Sequence, residues 1–344
     1  MNKKIKKVVK QSSLENEKIA NSVQLELFHH SDNRNDFSNT VEFYDICPKY
    51  IWEQRYFELS VENSSIERTF EFNEKTYYVT IKPAIIDHKI NGKVKPCFAY
   101  PSYRELIIED MLRKFMCEEQ GQCIDNNYAV SFSLAQLYQE LKNINKNYSY
   151  NEIREAIKIC TQTNLTIYEK IDGKKSEITN SSLFMGSKIN RDRHKNSLSS
   201  FVIFHPLVTY SIDKLDFKLY NFKKAMEYKS KIAILLQKNM SNYFTTLPSL
   251  NSSYNFLLSD FYGYLGRGMK KKTDHNTRLV RNALDEMLEK STIDHYEINS
   301  IDNQDFEIQI FPNERLKDEI KMSIEKTKTN RITFGKKITT IFNK

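Results

Sequence analysis

The chain has 344 residues, enough for about two domains plus tails. Its 52 Lys and Arg outweigh 44 Asp and Glu, and the formal net charge of +8 points to an anionic partner. A mean hydropathy of −0.61 with only 8 Gly and 7 Pro excludes collagen-like and Pro/Gly-rich disordered chains.

No apolar run is long enough to span a bilayer. The basic start MNKKIKKVVK has no apolar stretch behind it, so it does not read as a secretory signal. A soluble, cytoplasmic protein is expected. Cys47, Cys97, Cys117, Cys123 and Cys160 are odd in number and form no CxxC or zinc-ligand spacing. They read as reduced thiols, and no metal or other cofactor is expected.

Residues 1–40 are polar and rich in Lys and Asn, a composition that predicts a flexible arm. One apolar island, Val23 to Phe28, interrupts it. An extension over 41–98 follows. Within it Phe70 and Phe72 share a face, as do Tyr77, Val79 and Ile81, with a turn at Asn73 to Lys75; this alternation predicts a hairpin. Pro83 and Pro96 are expected to break the extended pattern.

From Ser102 the apolar spacing turns helical, with Leu106, Ile107, Leu112 and Phe115 on the inner side and Gly121 as the stop. Ser133 and Ser149 are placed to cap two more helices, carrying Leu134, Leu137 and Leu141, then Ile153, Ala156, Ile157 and Cys160. Strands follow at Leu165–Tyr168 and Phe201–Phe204. Three helices and then a ribbon is the order of a winged helix-turn-helix, with the long loop before Phe201 as the wing.

The order then repeats. A long helix is expected over Phe222 to Tyr243, a short one from Phe256 to Gly263 or Gly266, and a third from Thr273 or Asp274 with Val280, Ala283, Leu284, Met287 and Leu288 inside. Strands at Ile293–Ile298 and Phe306–Phe311 close the unit. The predicted fold is α+β: two tandem winged helix-turn-helix domains over 99–245 and 246–326, with the flexible arm in front and a basic tail over 327–344.

The densest positive cluster holds Arg267, Lys270, Lys271, Lys272, Arg278 and Arg281 against Asp274. It covers the turn into, and the start of, the second unit's third helix. In a helix-turn-helix that helix enters the major groove with its N-terminal residues at base edges. Thr273, His275, Asn276, Thr277, Arg278 and Arg281 lie off the predicted apolar face and are candidates to contact DNA; the competing reading is a solvated basic loop. The first unit's third helix differs, because its outer residues include Glu152 and Glu155, which repel phosphate. Its wing loop is more basic: Lys188, Arg191, Arg193, His194 and Lys195 against Asp192, suited to phosphate or minor-groove contact or simply to a solvated loop.

Enzyme motifs are missing. Gly263 to Lys270 lacks the Lys-Ser or Lys-Thr of a phosphate loop, and His29-His30 lacks the spacing of a nicking enzyme's metal pair. Glu105, Glu109 and Asp110 read as solvated or ion-paired helix residues. Lys218, Lys223, Lys224, Lys229, Lys231 and Lys238 read as the solvated face of the long helix.

Gln24-Leu25-Glu26-Leu27-Phe28 resembles the bacterial sliding-clamp-binding motif. In it Leu27 and Phe28 would enter an apolar pocket while the Gln24 amide bonds at the rim. A wider resemblance rests on three stretches: Tyr100 to Phe115; Val130 to Leu134 with Tyr150 to Ile157; and Phe204 to Val208 with Leu219 to Asn221 and Lys229 to Ala233. These are similar to a family of bacterial plasmid replication initiators of the TrfA-like and RepA-like kind, over roughly residues 99–312. The resemblance implies an iteron-binding, theta-type initiator that binds repeated duplex sites at an origin through two winged-helix domains, opens an adjacent AT-rich stretch and brings in host replication proteins. It further implies the sliding clamp, a host initiator and a helicase as partners, and a regulated homodimer. A winged-helix transcription regulator and a strand-nicking initiator are the alternatives.

Overall fold

The computed structural model describes residues 36–52, 55–90, 93–190, 200–266, 273–301 and 305–342. The last residues of the expected arm form strand β1 (Phe37–Thr40), followed by helix α1 (Glu42–Ile46) and strand β2 (Tyr56–Phe57). The expected hairpin is β3 (Ile66–Phe72) and β4 (Lys75–Lys82). Asn73 and Glu74 turn it with φ of 50° and 62°, the left-handed pair that a tight two-residue turn needs. Contrary to the expected break at Pro83 and Pro96, a second hairpin follows: β5 (Ala84–Ile90) and β6 (Lys93–Ala99). Pro96 fits inside β6 because β2 reaches only Phe98 and Ala99, leaving one side of β6 unpaired at the proline.

Helix α2 (Tyr103–Phe115) starts at a reciprocal capping box of Ser102 and Glu105. A hairpin of β7 (Gly121–Ile124) and β8 (Asn127–Phe132) leads to α3 (Leu134–Asn143) and α4 (Tyr150–Gln162), capped by Ser133 and Ser149. Next come β9 (Asn164–Ile171), β10 (Lys174–Ser182), β11 (Phe184–Lys188), β12 (Ser200–Phe204), α5 (Pro206–Asp213) and β13 (Lys218–Asn221). The single long helix expected after this is two, α6 (Phe222–Met226) and α7 (Lys231–Tyr243), because the Ser230 hydroxyl accepts from the Ala233 amide and starts a new helix.

The second unit continues with β14 (Tyr254–Leu257), α8 (Leu258–Leu265), α9 (Thr273–Glu289), β15 (Ile293–Ser300) and β16 (Phe306–Pro312). Helix α10 (Glu314–Phe342) then runs through most of the expected tail. It is seated by buried Leu316 and Ile320, and by the Ser323 hydroxyl, which accepts from the Leu219 amide at 2.7 Å.

The chain is thus mixed α and β, in keeping with the expected α+β class. Its described strands form antiparallel sheets ordered β1-β13, β10-β9-β4-β3, β11-β12-β8-β7, β14-β16-β15 and β2-β6-β5. Two segments share one order of elements. In α2, β8, α3, α4, β11, β12 the last strand pairs with both earlier ones, and in α7, β14, α8, α9, β15, β16 the same holds. The hairpin β9–β10 is inserted in the first segment. It does not serve as that segment's ribbon but joins the β3–β4 hairpin, with Val79 opposite Ile167 and Ile81 opposite Leu165. One apolar core extends from Val41 to Ile320, continuous across the expected boundaries near 98 and 245.

Polar groups join the two segments inside that core. Lys238 of α7 donates to Asp110 of α2 at 2.6 Å and lies 3.2 Å from Asp45. Arg113 donates to both oxygens of Asp45, at 2.9 and 3.0 Å. Tyr220 donates to Asp110 at 2.8 Å, and Tyr50 to Glu109. Burial by itself would raise the Asp45 pKa, but the cations Arg113, Lys238 and Lys49 drive it well below the usual carboxylate range. Of the residues expected on solvated or ion-paired faces, Glu105, Glu109, Asp110, Lys224 and Lys238 are buried. Such a network is costly to break, because a charge left alone in a core forfeits hydration without a partner.

Candidate nucleic-acid interface

Helix α9 carries the candidate surface. Val280, Ala283, Leu284 and Met287 are buried at helical spacing and seat it in the core. On the opposite side Arg278, Arg281, Asn282, Asp285 and Glu289 are exposed. Two expected contacts are corrected. Asn276 is 1 % exposed and Thr277 8 %, so neither stands at the surface. The reason is packing: Asn276 lies one turn before Val280 on the inner face, where its carbonyl accepts from the Tyr262 hydroxyl at 2.8 Å. The sequence signal was available in the i, i+4 relation of Asn276 to Val280.

Arg281 lies beside a tyrosine–aspartate pair. Tyr296 of β15 donates to Asp285 at 2.6 Å. Its phenol pKa is raised by burial and by Asp285, with Arg281 close enough to oppose the shift. The end of α8 is fixed. Gly266 ends α8 in the left-handed region at φ 70°, and a Cβ there would lie 1.9 Å from the Arg68 guanidinium. Arg68, from strand β3, donates to the carbonyls of Pro48, Tyr50 and Tyr264. Glycine at 266 therefore meets two demands, the backbone conformation and the close approach.

Thr273 and His275 lie in the first turn of α9. Lys188 is exposed at the end of β11, where the loop to β12 begins. Arg267, Lys270, Lys271, Lys272, Arg191, Arg193 and Lys195 lie outside the described residues, as do Gln24, Leu25, Leu27 and Phe28.

Helix α4 occupies the matching position in the first segment and is partly covered. Ile159, off its main apolar face, is fully buried against Ala84, Ile86, Cys97 and Ala99 of the β5–β6 hairpin. Glu155 accepts from Arg104 at 2.8 Å and from the Tyr56 hydroxyl at 3.0 Å. Arg104 also donates to Glu105, and Arg55 lies 3.5 Å from Glu155. Burial by itself would raise the Glu155 pKa, but the bonds from Arg104 and Tyr56 hold it below the usual value. An apolar residue 100° off the core stripe was the clue that a second layer covers this helix.

All five cysteines are free, four of them buried and Cys123 exposed. Among the described residues no cluster of His, Cys, Asp and Glu is arranged to hold a metal ion, and no helix is long and apolar enough to cross a membrane.

No protein-family model matches the chain, and no curated protein matches it. Among solved structures it is similar to two crystal structures of RctB domains 2 and 3. One, of a selenomethionine derivative, has a TM-score of 0.48 and 10% identity, over 78% of this chain and 95% of that one. The other has a TM-score of 0.44 and 10% identity, over 79% and 98%. Both are distant likenesses.

Proposed function

We propose that this chain is a non-catalytic, sequence-specific DNA-binding protein that initiates replication, built on two tandem winged helix-turn-helix units. The observation that carries the reading is α9. It stands third in a helix–strand–helix–helix–strand–strand unit, buries one face, presents Arg278 and Arg281 on the other, and follows a Lys-rich stretch of the sequence. That is the position from which a recognition helix enters a major groove. Arginine there suits guanine O6 and N7 or backbone phosphate. The same element order in the first segment supports a duplicated module, with the loop from Lys188 as its wing.

The partners of this reading are double-stranded origin repeats in the cytoplasm, the sliding clamp through Gln24, Leu25, Leu27 and Phe28, and a host initiator and helicase. A homodimer completes it. Binding to repeats would offset the cost of opening neighbouring AT-rich DNA.

Footprinting on DNA flanking the gene tests the reading. Protected, evenly spaced repeats are expected, with an affinity that falls steeply with salt. A flat salt dependence and no footprint would overturn it. Capture of the clamp by wild type but not by Leu27→Ala/Phe28→Ala separates an initiator from a transcription regulator. Relaxation of supercoiled origin plasmid with a divalent metal would make the chain a nicking enzyme instead.

A further inference from the structure

A cavity of about 580 Å³ lies between the N-terminal extension and the second segment. Its size is that of small-ligand and peptide side-chain pockets. Phe70 and Phe261 form its buried floor, and Tyr254, Phe256 and Tyr264 line its half-buried walls. Glu71 and Asp260 stand exposed at its mouth.

The charge at this mouth reverses that of the whole molecule. The chain carries +8, yet neither Glu71 nor Asp260 has an ion-pair partner among the described residues. Asp305, which accepts from the Ser259 amide at 3.0 Å and the Ser259 hydroxyl at 2.5 Å, adds a third carboxylate nearby. Partial burial raises the Asp260 pKa, and Asp305 and Glu71 raise it further.

Two sheet edges border the cavity. Strand β3 is the edge of its sheet, paired only with β4, and strand β14 is the edge of the other, paired only with β16. Three consecutive residues of the edge strand β3, Thr69 to Glu71, line the cavity together with Thr76, opposite Glu71 on β4. A sheet edge offers alternate amides and carbonyls to an incoming strand, and pockets beside it select the side chains.

We propose that this cavity is a docking site for an extended basic peptide. The peptide adds to the β3 edge, places an apolar or aromatic side chain on the Phe70–Phe261 floor, and sets Lys or Arg against Glu71 and Asp260. The inference stands apart from DNA binding, since α9 presents its arginines on residues that do not line the cavity.

The test uses the full chain and two fluorescein-labelled peptides in anisotropy titrations: acetyl-Lys-Phe-Lys-Val-Lys-amide and its acidic counterpart with Glu at each Lys. The basic peptide is expected to bind and the acidic one to be excluded. Glu71→Gln/Asp260→Asn should weaken the basic peptide roughly tenfold or more. Thr76→Arg provides a second variant. Thr76 lies opposite Glu71 in the β3–β4 register and lines the cavity, so an arginine there neutralises Glu71 from within and should also block the peptide. Unchanged far-UV dichroism and melting temperature would show that both variants fold. Equal binding of the two peptides, no binding of the basic one, or full affinity in both variants would each overturn the proposal.

Discussion

Helices α4 and α9 hold the same place in two segments built in the same order, and they meet the solvent differently. Helix α9 has one buried face and an exposed one that carries Arg278 and Arg281. Helix α4 has its core face and, at Ile159, a second contact with the β5–β6 hairpin, while Glu155 is drawn into bonds with Arg104 and Tyr56. The lesson is that a shared order of elements does not fix what a helix presents. The inserted layers decide that, and here they cover part of α4 and leave the arginine-bearing side of α9 exposed.

The strongest test of the comparison concerns the seam. Lys238→Met removes the cation between Asp110 and Asp45 and leaves buried carboxylates short of charge. A loss of about 3–5 kcal/mol in denaturant unfolding is expected. Lys158→Met, on the exposed side of α4, should change stability by less than about 0.5 kcal/mol. Equal effects would mean that the two segments are not held by this network.

Next is the layer over α4. Ile159→Ala should cost about 2–4 kcal/mol, through lost contact with Ala84, Ile86, Cys97 and Ala99. A loss of only a few tenths would show that the hairpin does not press on the helix.

On the proposed function, the two outer faces are expected to differ next in duplex binding. Arg278→Ala/Arg281→Ala should weaken specific binding roughly a hundredfold, about 2.7 kcal/mol. Asn151→Ala/Lys158→Ala on α4 should change it by less than about twofold. Similar losses from both pairs would restore equal DNA reading by the two helices.

The effect smallest per step is a slope with pH. Burial, with Lys49 nearby, lowers the His205 pKa from 6.5 to about 3. The folded protein therefore refuses a proton that the unfolded chain accepts below about pH 6.5. This contribution to stability is full above that pH and is lost as pH falls towards about 3. His205 accepts the Leu207 amide at 3.1 Å at the start of α5. His205→Asn keeps an acceptor there and removes the titration, so the fall in unfolding free energy should be shallower by one proton, about 1.4 kcal/mol per pH unit. An unchanged slope would mean that another group carries the acid sensitivity.

Much of the fold was legible because local signals coincide. Ser102, Ser133 and Ser149 stand immediately before their helices, and two of them form capping boxes with Glu105 and Glu152. The β3–β4 hairpin was visible in strict alternation. The break at Ser230 was missed because apolar residues continue on both sides of it. The strands around Pro96 were missed because a proline tolerated at an unpaired strand position looks like any other. The candidate site was legible in part. Arg278 and Arg281 are exposed as expected, whereas Asn276 and Thr277, also polar, are buried.

By itself the sequence determined the helix starts, the tight turns, the apolar stripes and the basic stretch at α9, since capping, backbone conformation and periodicity act within a few residues of chain. Only the tertiary structure decided that the N-terminal extension shares a sheet with β9, that Asp45, Asp110, Arg113 and Lys238 meet in one buried network, and that α4 is covered while α9 is open. Those outcomes depend on contacts between residues tens to more than a hundred positions apart, where burial and charge pairing, rather than local propensity, select the partner.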